Sequence, residues 1–160
     1  MPQARCQRGF TLIEVVATLA IIAVLASISM PLAELSAQRK KEDDLRIALR
    51  QIRDALDAYR QAGDEGHIIR STGDSGYPKT LQILVEGVDD AKSPTGGRIY
   101  FLRRLPRDPF YPDPAVAAAQ TWGKRSYASP PDAPKEGNDV FDVYSLSPGK
   151  GLNGIAYREW

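Results

Sequence analysis

The hydrophobic positions of this chain fall into three regimes. From Phe10 to Met30 they are almost continuous, with 16 of 21 residues apolar. A helix of that length is what a bilayer core of about 30 Å requires. From residue 34 to 62 no turn signal interrupts the chain, and Leu45, Leu49, Ile52, Leu56 and Tyr59 recur at spacings of 4, 3, 4 and 3. That is a single stripe along an α-helix. Arg46, Arg50, Arg53, Asp54, Asp57 and Arg60 fill its other faces. The pattern predicts one helix from about Phe10 to Ala62, about 80 Å long at 1.5 Å per residue, with Gly63 as its stop. The stripe predicts packing against a small domain, since a coiled coil would need more heptads.

Beyond residue 62 the pattern breaks into short pieces. Residues 63–78 read as a Gly-rich loop, and 79–86 as a short helix between Pro78 and Gly87. Arg98–Arg104, Thr121–Ser129 and Val140–Leu146 are strand candidates separated by turn-rich links, which favours an antiparallel meander. A helix covering one face would make so small a sheet sufficient. The fold class expected is therefore α+β: a long amino-terminal helical spine, partly transmembrane, packed on a small antiparallel sheet.

Composition narrows the function classes. The 160 residues carry 21 basic and 20 acidic side chains, a balance that points to no nucleic-acid partner. The one cysteine, Cys6, precedes the apolar run, so the chain beyond it can form neither a disulfide nor a thiolate metal site. Gly73-Asp74-Ser75-Gly76 resembles the serine nucleophile motif of trypsin-like proteases. The chain is too short for that two-barrel fold, and nothing around the single histidine, His67, supplies a triad. GDSG reads as a turn and His67 as a solvated loop residue. No phosphate loop occurs. With no convergent polar site, the chain is expected not to be an enzyme.

The apolar run itself admits two ordinary readings, a secretory signal and a simple anchor. Ala26, Ser27 and Ser29 could supply a signal cleavage site. Against this stand the length of the run, the Gly9-Phe10 junction before it, and Glu14 within it. A carboxylate in hydrocarbon costs about 3 kcal/mol on insertion scales, so Glu14 needs a partner.

Arg8-Gly9-Phe10-Thr11-Leu12-Ile13-Glu14-Val15 resembles the processing motif of type IV pilins and type II secretion pseudopilins. The resemblance implies that prepilin peptidase cuts after Gly9 and methylates Phe10. Cleavage would create an amine at Phe10, one helical turn from Glu14. That amine, or a neighbouring subunit's, would neutralise the acid and fix the stagger between helices, making Glu14 an assembly residue. Pro31 matches a proline common in these helices, where it removes a backbone donor and kinks or locally melts the helix. The chain then divides into a leader at 1–9, a transmembrane and assembly segment at 10–33, an amphipathic helical half at 34–62 and a globular domain at 63–160. Arg39, Lys40 and Lys41 follow the apolar run as Arg5 and Arg8 precede it, so charge does not set the orientation. The resemblance implies a single-pass protein of the bacterial inner membrane with its carboxy-terminal domain in the periplasm.

The second half carries its own resemblance. Tyr77-Pro78, Leu105-Pro106-Arg107-Asp108-Pro109-Phe110, Trp122-Gly123 and Phe141-Asp142-Val143-Tyr144-Ser145 look like the major pseudopilin of type II secretion, with 113–121 resembling an insertion. Type IV pilins usually close a carboxy-terminal loop with a disulfide, which this chain cannot form. The implied role is a structural subunit that polymerises into a periplasmic pseudopilus. Its implied partners are other copies of itself, minor pseudopilins, prepilin peptidase, the inner-membrane secretion platform and membrane lipid. The alternative is a type IV or minor pilin for adhesion, motility or DNA uptake. The resemblance also implies calcium in the loop after the last strand. Here that loop, 147–154, has no carboxylate and carries Lys150, while Asp139 and Asp142 read as solvated face residues. No cofactor is expected. Lys150 donating to loop carbonyls, or Tyr157 and Trp160 packing the tail onto the sheet, would be the substitute.

Overall fold

The computed structural model describes residues 10–160 and divides into two compact units that meet at Lys40 and Lys41. Helix α1, Leu12–Asp64, contributes to both. In the first unit its described side chains are almost all exposed, from Phe10 through Ser27 without exception. This helix is long and apolar enough, by length and composition, to cross a membrane.

In the second unit the predicted stripe is the core-facing edge of α1. Leu45, Leu49, Ile52 and Leu56 are buried, and Tyr59 packs half-buried at the margin. Ala48 and Ala55 complete that face. They meet Leu81, Leu84, Trp122, Val140, Val143 and Tyr157 in one cluster. The helix runs one residue past Gly63. The turn that ends it is made at Gly66, whose φ of 80° lies in the left-handed region open to glycine.

The remaining elements are short: α2 (Ile83–Glu86), β1 (Val88–Asp89), β2 (Arg98–Ile99), β3 (Trp122–Arg125) and β4 (Asp142–Ser145). Two single 3₁₀ turns, Ala118–Gln120 and Tyr157–Glu159, flank the second strand pair. Instead of the expected three-stranded meander there are two separate antiparallel pairs, β1 with β2 and β3 with β4. The reason lies after Ile99. Phe101 N and Leu102 N both donate to Leu84 O (3.0 and 2.9 Å), so this segment caps α2 and never reaches β3. The predicted 79–86 helix shrinks to its last turn for a similar reason. Pro78 O accepts Val140 N (2.8 Å), which ties the start of that segment to the β4 side. In the second pair Trp122 faces Ser145 and Arg125 faces Asp142. The architecture is nonetheless the expected α+β arrangement, a long amino-terminal helix with small antiparallel sheets.

Candidate functional site

The amino-terminal end of α1 is built by its own side chains. Thr11 stands before the first helical residue, and its Oγ1 accepts from Glu14 N (3.4 Å). Its carbonyl accepts from Glu14 N and Val15 N (3.1 and 3.2 Å). Thr-x-x-Glu is the spacing of a capping box, a signal present in the sequence but masked by the reading of Glu14 as an acid inside a membrane span. An acid in the first turn also sits favourably at the positive end of the helix dipole. Further along, Thr18 Oγ1 donates to Val15 O and Ser27 Oγ to Ala23 O, both at 2.8 Å. These hydroxyls are satisfied within the helix, as hydrocarbon surroundings would demand. Glu14 itself is exposed in the first turn of α1. Its neighbours Phe10, Leu12 and Ile13 are more than three-quarters exposed, leaving an apolar surface around the acid.

Of the sequence-derived site residues, Phe10 and Glu14 are exposed at the head of α1. Gly9, with the rest of 1–9, lies outside the described residues. The backbone of α1 passes through position 31 as helix, and the side chain of Pro31 is outside the described residues.

The globular unit is fastened by five side chains whose partners the sequence did not reveal. Glu42 sits in the charged run after Lys41, yet it is buried: its Oε1 accepts from Leu152 N (2.9 Å) and Tyr157 Oη (3.0 Å). Asp108 is buried in the Leu-Pro-Arg-Asp-Pro-Phe segment. Its Oδ1 accepts from Phe110 N (2.8 Å) and its Oδ2 from Ser145 Oγ (2.6 Å). Trp122 Nε1 donates to Pro106 O (2.9 Å), so the same segment also holds β3. Arg107 donates to the carbonyls of Val116 and Asp113, which organises the stretch that resembled an insertion. Arg53 Nε donates to Asp142 Oδ1 (2.8 Å) and its Nη2 to Trp160 O (2.8 Å), joining α1 to β4 and the tail.

Asp142 is therefore not a solvated face residue: Arg53 and Arg125 both pair with it. Asp139 Oδ1 accepts from Tyr127 N (2.8 Å). His67 is likewise engaged, its Nδ1 2.8 Å from Asp90 Oδ1. That contact, followed by the Lys92 N–H, holds the Asp90 carboxyl below its usual range. Ser75 Oγ accepts from Tyr77 N (3.4 Å), and the hydrogen-bonded turn lies just ahead of the expected one, spanning Ser71 to Asp74 with Asp74 N donating to Ser71 O (3.1 Å). Lys150 contributes through its backbone, which bridges to Ala156. Tyr157 and Trp160 do pack the tail: Tyr157 stacks on Phe110 at 4.1 Å, and Trp160 meets Tyr157 edge-on at 5.1 Å.

Comparison with known proteins accounts for both ends of the chain. Residues 4–30 match the prokaryotic N-terminal methylation motif. The type II secretion system core protein G of Klebsiella pneumoniae is 30% identical over 147 residues, covering 88% of this chain and 96% of that protein. The protein of the same name from Dickeya chrysanthemi is 28% identical over 157 residues, 94% of each chain. That of Escherichia coli strain K12 is 33% identical over 110 residues, 65% of this chain and 67% of its own length. No solved structure is a significant match. With an amino-terminal methylation motif, an exposed apolar helix and likeness along nearly the whole length, the chain belongs to the type II secretion system core protein G family.

Proposed function

We propose that this chain is the structural subunit of a type II secretion pseudopilus. The observation that carries the reading is the exposed apolar head of α1, which bears Glu14 in its first turn and lies under the methylation motif. Prepilin peptidase removes residues 1–9 and methylates Phe10. The apolar segment anchors the subunit in the inner membrane by a single pass, with the carboxy-terminal domain in the periplasm. On assembly, copies exchange lipid for one another's helices. Burial of apolar surface between helices gives no net gain over lipid tails, so packing and polar contacts decide the geometry. Glu14 supplies the polar contact, pairing with the Phe10 amine of its own or a neighbouring chain. Minor pseudopilins and the inner-membrane platform complete the assembly, and the subunit itself does no catalysis. The relatives named above are secretion proteins, which favours secretion over adhesion, motility or DNA uptake.

Mass spectrometry of the protein from its native host tests the processing step. The expected product begins at Phe10 and carries one added methyl group; an uncut chain would sink the reading. A Glu14→Leu variant is expected to be cut and to reside in the membrane, but to form no filaments when the secretion genes are overexpressed. Normal filaments from that variant would remove Glu14 from the mechanism.

A further inference from the structure

Loop 147–154 follows β4, where the family resemblance implies calcium. That ion takes about six to eight oxygens at roughly 2.3–2.6 Å, with carboxylates among them. The groups present do not fit it. The only charged side chain of the loop is Lys150. Two nearby carboxylates are committed elsewhere. Asp108 uses both oxygens on Phe110 N and Ser145 Oγ. Asp142 is held between Arg53 and Arg125. Two of the loop's carbonyls are already occupied by backbone donors: Gly149 O accepts Tyr157 N (3.1 Å), and Gly151 O accepts Gly154 N (2.8 Å). Among the described residues no three His, Cys, Asp or Glu side chains come together as a metal site.

What reaches the loop instead is Glu42, from the start of the buried face of α1. We infer that Glu42 closes loop 147–154 in place of a divalent cation, bonding Leu152 N and Tyr157 Oη through one carboxylate oxygen. A cation would gather oxygens from the loop around itself. Here the polarity is reversed: a fixed anion gathers the loop's donors. A carboxylate that accepts two donors in a buried place makes charge-assisted bonds, stronger than neutral ones. The ring of Tyr157 is held for this by stacking on Phe110 and an edge-on contact with Trp160. Gly151 admits the Trp160 indole, into which a β-carbon at that position would collide. Arg46 lies over the same indole at 4.3 Å, and Arg53 holds the Trp160 carbonyl, so α1 grips the tail at three successive places.

The inference goes beyond the filament reading and does not depend on it. Its test is thermal unfolding of the full-length protein in detergent micelles, followed by tryptophan fluorescence, with millimolar calcium or with EDTA. Calcium and EDTA are each expected to move the wild-type Tm by less than about 2 °C. Glu42→Ala removes the acceptor shared by the Leu152 N–H and the Tyr157 hydroxyl and is expected to lower Tm by about 5–10 °C, with no recovery in calcium. Tyr157→Phe removes one of the two bonds and is expected to lower it by about 2–4 °C. Should Glu42→Ala fail to fold, the wild-type calcium and EDTA arms and Tyr157→Phe still decide. A calcium-induced rise of about 5 °C or more in the wild type, or Glu42→Ala melting with the wild type, would overturn the inference. Neither result would touch the Phe10 product mass or the Glu14 phenotype.

Discussion

Asp108 lies where three segments meet, between the Pro106–Phe110 stretch, the end of β4 and the ring stack of Phe110 on Tyr157. Asp108 is 1% exposed, and its bond to the Ser145 hydroxyl is fully buried. Truncation to alanine leaves the Ser145 hydroxyl and the Phe110 N–H without an acceptor. Urea denaturation of Asp108→Ala is expected to show a loss of about 2–4 kcal/mol. A loss under about 0.5 kcal/mol would mean that the segment is held by its aromatic contacts alone. Asp90 offers a different dependence, on pH. Its carboxyl is lowered by His67 first and by the Lys92 N–H second. A carboxyl lowered on folding stabilises the protein above its unfolded value, near 4 for aspartate, and that support is lost as pH falls through the lower folded value. Asp90→Asn is therefore expected to melt below the wild type at pH 5 and above, with the gap closing as pH drops below about 4. A gap independent of pH would assign the effect to shape.

Helix α1 is the element on which both units draw, and its two faces make opposite predictions. Leu49 is buried and Ile47, two residues earlier, is half exposed. Leu49→Ala is expected to cost about 2–5 kcal/mol by cavity formation, while Ile47→Ala stays within about 0.5 kcal/mol. Equal effects in chemical denaturation would contradict the helix orientation. This face was legible from spacing, because a 3.6-residue period sustained over four turns has no other interpretation. The strands were not. β1 and β2 contribute two residues each, β3 and β4 four each, and such lengths carry no usable period of two. Their pairing hangs on Leu84 O and Pro78 O, backbone acceptors that no side chain advertises. The proposed assembly site was half legible: the Gly-Phe junction and Glu14 stand out, and the Thr11 cap was there in the spacing. Glu42 was not legible at all. It sits among Arg39, Lys40, Lys41, Asp43 and Asp44, and only partners more than a hundred residues away distinguish it from them.

The two units divide the work between them. Residues 10–27 keep every side chain exposed, a surface that is stable only in lipid or against like helices. Residues 41–160 close their own core. Changes at Glu14 should therefore alter assembly without altering the melting of the globular unit, and changes at Glu42 or Asp108 should do the reverse. The Glu42 contacts also bear on when the globular unit can form. They join positions 110 and 115 residues apart, and closing such a loop costs about 4 kcal/mol in chain entropy before any contact repays it. Chains emerge amino terminus first, so the buried face of α1 is made long before residues 152–160 arrive to cover it. During that interval Leu45, Leu49, Ile52 and Leu56 form a bare apolar ridge beyond a segment long and apolar enough to cross a membrane. The ridge of α1 therefore stays uncovered until the segment that bears Leu152 and Tyr157 has been made, and the growing chain is open to mispairing throughout that wait.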